Sequence, residues 1–180
     1  DDNFQIVEHG KRGSFDWAGI MPTSIICPEP STIFLYYIGW SIRKDVPYHN
    51  SLGLIISKDN GKTFQKFSNG PIFSTSYKEP GYIGTISVMF DDELFKGWYL
   101  SCREWIETSD GKIEPVYDIK YAVSKNGIDW EPTGKTCISL EEDEGGLSQA
   151  SVIKDQGIYH MWFSSRKKVD FRKNRDNSYR

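Results

Sequence analysis

Residues 144–166 read Glu-Gly-Gly-Leu-Ser-Gln-Ala-Ser-Val-Ile-Lys-Asp-Gln-Gly-Ile-Tyr-His-Met-Trp-Phe-Ser-Ser-Arg, and this stretch decides the fold. An acid and two glycines lead into a short strand at 148–153. Lys154-Asp155-Gln156-Gly157 then supplies a tight turn, since glycine accepts the positive φ that such turns demand. An aromatic strand at 158–164 follows, with Arg166 just past its end. The pattern predicts a β-hairpin with Glu144 at the start of one strand and Arg166 at the end of its partner. In an antiparallel pair those two positions share an edge.

The same order of features occurs three times along the chain. A first unit opens with Asp16-Trp17-Ala18-Gly19-Ile20-Met21-Pro22 and predicts strands at 23–27, 33–40, 51–57 and 63–67. A second opens with Glu79-Pro80-Gly81 and predicts strands at 85–90, 98–103, 117–124 and 129–131. The third is the hairpin, and the sequence stops at Tyr179-Arg180, where its third strand is expected to begin. Ser24, Ser87 and Ser151 each precede an apolar pair at intervals of 63 and 64 residues (87 − 24 and 151 − 87). Tyr36-Tyr37, Trp98-Tyr99 and Trp162-Phe163 keep nearly the same period, and Asp16, Glu79 and Glu144 fall eight, eight and seven residues before the repeated serine.

Repeated four-stranded antiparallel units predict an all-β fold, a β-propeller with blades at about residues 14–68, 79–134 and, incomplete, 144–180. Residues 1–13, with apolar Phe4, Ile6 and Val7, are expected to form an edge strand of a preceding blade. About two and a half units cannot close a ring of roughly four to eight blades. The chain is therefore expected to be an interior piece of a longer propeller, the alternative being an open, repetitive two-sheet sandwich. No segment sustains the 3.6-residue apolar period of a helix.

Composition narrows the function classes. The 180 residues are 38% hydrophobic, 26% charged and 14% aromatic, and the high aromatic content favours strands and a ligand-facing surface over a helical bundle. A net charge of −3 gives no basic field for nucleic acid. No apolar run approaches the ~20 residues of a membrane-spanning helix. Cys27, Cys102 and Cys137 have no metal-ligand spacing and read as buried or incidental thiols, so neither metal nor cofactor is expected. With no secretory leader in view, a cytoplasmic location is the expectation, although the missing initiator Met points to an N-terminus elsewhere.

In a blade the first strand lines the central channel and the second runs back. The start of strand one, the end of strand two and the start of strand three then share a face. That face is expected to collect Asp16, Glu79 and Glu144 as catalytic acids. Trp40, Tyr48, His49, Asn50, Arg103, Trp105, Asp118 and Arg166 are expected to join them as substrate-binding residues. Carboxylates transfer protons, indole faces stack on sugar C–H groups, and arginine holds hydroxyls or anions. The plainer alternatives are solvated loop acids and arginines paired with neighbouring carboxylates. The paired aromatics at 36–37, 98–99 and 162–163 read as blade core, and His160 as a structural histidine among them. The basic tail at 166–180 reads as a solvated loop without the basic–aromatic interleaving of a nucleic-acid groove.

Ser57-Lys58-Asp59-Asn60-Gly61-Lys62-Thr63-Phe64 resembles the Asp-box turn of sialidase-type propellers. Ser124-Lys125-Asn126-Gly127-Ile128-Asp129-Trp130 is similar to the shorter turn of five-bladed glycosidase-like propellers, the superfamily of glycoside hydrolase families 32, 43, 62, 68 and 130. Phe15-Asp16 with Gly19-Ile20-Met21-Pro22, Leu35-Tyr36-Tyr37-Ile38-Gly39-Trp40 and Met161-Trp162-Phe163-Ser164-Ser165-Arg166 look like middle blades of glycosyl hydrolase-like members. The resemblance implies a five-bladed ring in full length and carbohydrate as substrate or ligand. It implies Asp16 as base or nucleophile, Glu144 as general acid and Glu79 as the third carboxylate. A phosphorolytic relative would use Arg103 and Arg166 for phosphate, and a catalytically silent carbohydrate-binding or scaffolding propeller is the third possibility.

Overall fold

A computed structural model describes residues 7–180. It contains ten strands: β1 Gly19–Glu29, β2 Thr32–Ser41, β3 His49–Ser57, β4 Gln65–Lys66, β5 Ile83–Asp91, β6 Leu94–Glu107, β7 Ile113–Ser124, β8 Glu131–Ile138, β9 Glu144–Asp155 and β10 Ile158–Lys167. Apart from a three-residue 3₁₀ turn, Arg175–Asn177, no helix interrupts the described residues, and none is long and apolar enough to cross a membrane. Strands β1-β2-β3-β4 form one antiparallel meander and β5-β6-β7-β8 a second. The β9–β10 hairpin meets the second meander through one parallel pairing, Gly146 with Tyr117. The architecture is that of a β-propeller, all-β as the repeat predicts. At the C-terminus Arg180 and Ser165 exchange backbone hydrogen bonds of 3.0 and 3.1 Å, so the polypeptide returns beside β10 as β3 lies beside β2.

Three details depart from expectation. Strand β4 is only two residues long, because Asp59 and Thr63 are engaged in the preceding turn. Strand β8 begins at Glu131, since Asp129 is held inside the turn by the Asn126 side-chain carbonyl. Residues 7–13 form no strand, and Phe4 and Ile6 of the expected edge strand lie outside the described residues.

The two turns show why their residue types were needed. Ser57 Oγ accepts the Gly61 N–H at 2.9 Å, and Asp59 accepts both the N–H and hydroxyl of Thr63 at 2.9 and 2.7 Å. Asn60 and Gly61 take φ of 58° and 81°, a region open to glycine and tolerated by Asn. In the second turn Ser124 Oγ accepts the Gly127 N–H, and the Asn126 side-chain carbonyl accepts from Ile128 and Asp129, each at 2.9 Å. The blades are fastened here too, because Tyr36 of the first unit donates to the Gly127 carbonyl at 2.9 Å.

Inner strands β1, β5 and β9 lie side by side, and hydroxyl side chains join them. Thr23 Oγ1 both donates to the Ile86 carbonyl and accepts its N–H, at 3.0 and 2.9 Å. Ser24 Oγ accepts from Val88 at 3.0 Å, and its repeat Ser87 accepts from Val152 at 3.2 Å. The recurring serine is thus an inter-blade joint. Each inner strand also breaks register at one height: between Pro22 and Ser24, between Ile83 and Ile86, and between Ser148 and Ser151. Such bulges re-aim side chains and often border sites.

The core lies between blades. Tyr36, Ile38, Leu52 and Leu54 pack against Ile86, Phe95 and Trp130, and a second cluster joins Trp98 and Ile119 to Leu147 and Val152. The aromatic pairs of the first two units are core, as expected. Their third copy is not: Trp162 is 58% exposed, Phe163 is also exposed, and exposed His160 stacks on Trp162. No described strand covers that face of β10, which removes the burial that the repeat gives Tyr36 and Trp98.

Candidate functional site

A cleft of about 310 Å³ opens where the three units meet. Trp40 from the end of β2, Tyr48 before β3 and Asn50 within it form one wall. The bulged inner strands contribute Thr85 and Gln149, and Tyr82 and Tyr117 close the second blade's side. A neighbouring cavity shares Met21, Thr85 and Gln149 and continues along the inner strands, so the cleft opens onto the row of inner strands.

Of the expected binding residues, Trp40, Tyr48 and Asn50 line the cleft. Trp105 stands behind it, its ring centroid 5.4 Å from Tyr48 and 5.7 Å from Tyr82. His49 turns away to Thr75 Oγ1 at 3.2 Å, and burial with nearby Arg43 holds its pKa down. Asp118 faces the opposite side of β7, with Arg103 at 3.7 Å and Thr136 at 3.4 Å. Burial pushes the Asp118 carboxyl up, against the pull of Lys120 and Arg103.

Neither Asp16 nor Glu79 lines the cleft, and the two share one local design. Asp16 accepts from Tyr37 Oη at 3.1 Å, Ser14 Oγ at 3.0 Å and Lys66 Nζ at 2.5 Å. Glu79 accepts from Tyr99 Oη at 2.7 Å, Ser101 Oγ at 2.6 Å and Lys120 Nζ at 2.9 Å. Tyr37 and Tyr99 are equivalent members of the aromatic pairs, so each acid braces its own blade's second strand. Burial pushes Asp16 up, but Lys66, Ser14 and Tyr37 together hold it below the usual carboxylate range.

Glu144 and Arg166 are brought near one edge by the hairpin, yet they serve different partners. Glu144 pairs in register with Lys167, and its carboxylate accepts the Glu141 N–H at 2.9 Å, closing the turn before β9. Arg166 is buried and donates to Tyr117 Oη at 3.0 Å, the Lys167 carbonyl at 3.0 Å and the Pro115 carbonyl at 2.5 Å. Its guanidinium carbon lies 3.9 Å from the Phe171 ring centroid. Gly145 and Gly146 have a packing reason: a Cβ at Gly145 would stand 2.5 Å from Arg166 Nη1, and one at Gly146 2.3 Å from the Tyr117 ring.

Thr85, Gln149, Tyr82, Ser148, Ser164 and Tyr179 also line the cleft and were not singled out from the sequence. A signal was present for two of them. Thr85 and Gln149 each stand two residues before a repeated serine, at the height where the inner strand bulges.

The β-propeller fold is one that solved glycosidases share. The chain superposes on a Bombyx mori GH32 β-fructofuranosidase mutant in complex with sucrose (TM-score 0.65, 14% identity, 86% of this chain and 31% of that one). A putative glycosidase from Bacteroides thetaiotaomicron gives a TM-score of 0.62 at 14% identity, over 99% of this chain and 58% of that one. A glycosyl hydrolase from Bacteroides ovatus gives 0.57 at 18% identity, over 96% and 52%. In sequence the chain is 32% identical over 162 residues to two uncharacterized Mycobacterium tuberculosis proteins, Rv1502 and MT1551. That match covers 89% of this chain and 52% of each relative, so the chain spans about half their length. No protein-family model matches.

Proposed function

We propose that this is a carbohydrate-handling propeller whose channel mouth binds a sugar in the cleft between Trp40, Tyr48, Tyr82 and Tyr117. The observation that carries this reading is the composition of the cleft: the partly exposed rings of Trp40 and Tyr48 over a floor of buried tyrosines, with hydroxyls and carboxamides between them, drawn from three blades. Aromatic rings take the apolar faces of a sugar, and neutral polar groups take its hydroxyls. Asp16, Glu79 and Arg166 act in this reading as fasteners, because each already holds its full set of partners. Further blades complete the ring, covering Ser151 and Trp162 as Ser24, Ser87 and Trp98 are covered.

Hydrolysis is the second reading, and one observation favours Glu144 as its acid. Glu144 is partly exposed, has no cationic side chain within ion-pair distance among the described residues, and heads the strand that delivers Ser148 and Gln149 to the cleft. Titration with mono- and oligosaccharides by ligand-observed NMR and calorimetry tests the binding reading. Saturable binding that Tyr48→Ala abolishes is expected, and no binding by any sugar overturns it. Glycoside turnover that survives Glu144→Gln would remove Glu144 from the hydrolytic reading.

A further inference from the structure

We infer that the cleft selects an uncharged sugar unit, with Asn50 accepting one of its hydroxyls; this rests on the carbohydrate reading above. Among the described residues, no Asp, Glu, Lys, Arg or His lines the cleft. The nearest strong charges are turned elsewhere. Arg166 lies behind Tyr117 with its guanidinium already engaged by Tyr117 Oη and the Lys167 and Pro115 carbonyls, and Glu79 and Asp118 face the other side of β6 and β7. On these walls an anionic sugar would leave water without meeting a cation, an unfavourable exchange. A neutral hexose loses only hydroxyl hydration, which neutral donors and acceptors replace.

Asn50 points to the ligand independently. It is 5% exposed, yet its side-chain oxygen has no hydrogen-bond partner among the described residues. Its neighbours differ: Ser51 pairs with Ser74 Oγ at 2.7 Å and His49 with Thr75. Buried carboxamide oxygens are nearly always satisfied. Because Asn50 lines the cleft, an occupant of the cleft is placed to supply that donor, and a ligand hydroxyl provides one. Across the cleft Gln149 sits in the β9 bulge at φ 53°, a conformation uncommon for a residue with a Cβ, with its N–H on Thr85 Oγ1 at 3.3 Å. Strained backbone on the wall of a cleft suggests a side chain held for use. Two carboxamides facing one cleft offer paired donors and acceptors, as vicinal hydroxyls require. A volume of about 310 Å³ lies at the lower end of the ~300–1,000 Å³ of ligand pockets, which suits one sugar unit.

The test uses methyl glycosides of glucose, galactose and mannose beside the matching methyl hexuronides, titrated into the wild-type protein, Asn50→Ala and Gln149→Ala. The expected result is binding of at least one neutral glycoside, with its uronide at least about tenfold weaker. Asn50→Ala should weaken the neutral glycoside by about tenfold or more while the melting temperature holds or rises, because an unsatisfied buried oxygen is removed. A uronide that binds as well as its neutral partner, or unchanged affinity in Asn50→Ala, overturns this inference and leaves the carbohydrate reading standing. A lowered melting temperature in Asn50→Ala assigns the residue to the fold and likewise overturns it. Silence from every glycoside and uronide removes the carbohydrate reading itself.

Discussion

A carboxylate buried beneath a lysine is stable only while both partners remain. Glu79 is 1% exposed and satisfies Lys120, Tyr99 and Ser101 together. Glu79→Ala should therefore lower stability by about 3–5 kcal/mol, as removal of one partner from a buried pair does. Glu79→Gln, which keeps an acceptor for Tyr99, should lose less. Chemical denaturation of both variants checks this, and an unchanged midpoint in Glu79→Ala would show that the pair braces nothing. Arg166→Lys is a second case, because lysine cannot reproduce a planar fork stacked on Phe171 and shared by two carbonyls. It should lower the melting temperature without changing sugar affinity at saturating folded protein; loss of affinity alone would return Arg166 to the ligand. The presence of Asp16 and Glu79 at a fixed distance from the repeated serine was legible in the sequence. Their orientation was not, since spacing cannot say whether an acid turns to the channel or to its own blade's tyrosine.

At the level of strands and turns, each inner strand owes its seat to a few hydroxyls. Ser87→Ala leaves the Val152 N–H without its acceptor and should cost about 1–3 kcal/mol. Gly146→Ala drives a methyl group into the Tyr117 ring and should cost about 1–3 kcal/mol through overpacking, while distorting the cleft that Tyr117 lines. Thermal melts of the two variants measure both effects. The Ser57 turn supplies a pH signature. The Thr63 N–H, with the Thr63 and Ser57 hydroxyls, lowers the Asp59 carboxyl from 3.8 to about 2. Its folded pKa is depressed, so its contribution is fully present above about pH 4 and is lost as pH falls through about 2. Asp59→Ala should flatten the stability profile across that window, and a slope equal to wild type would contradict the assignment. The strands themselves were readable from alternation and turn residues. The ends of β4 and β8 were not, because how many residues a turn consumes depends on which side chains bond inside it. Nor did the sequence reveal that Gly145-Gly146 at the start of β9 is a packing requirement, because Tyr117 lies in another blade.

Across the whole molecule, the first two blades share a continuous aromatic core, while β9–β10 is attached by one backbone pairing, the inner-strand hydroxyls, the Leu147–Val152 contacts and side-chain bonds from Arg166 to β7 and from Lys154 and Tyr159 to Asp91. Hydrogen exchange should therefore be slowest in β3, β6 and β7 and markedly faster in β10, whose Trp162 face is exposed. Uniform protection across the ten strands would argue against this hierarchy. The cleft was only partly legible for a related reason. Trp40, Tyr48 and Asn50 are close in sequence and announced themselves, whereas Thr85, Gln149 and Tyr179 come together only through the bulges and the closing of the third blade.

The hydroxyl joint between inner strands has a wider consequence. A serine oxygen that meets a main-chain amide makes no demand on the neighbouring side chain, since every residue but proline presents the same N–H. One blade can therefore diverge almost freely without consulting the next, provided it keeps a single oxygen at the right height. Duplicated blades fastened in this way can drift apart in sequence and still assemble around one axis. Ser24 and Ser87 are the trace of that tolerance: two matching pegs in blades that otherwise share little.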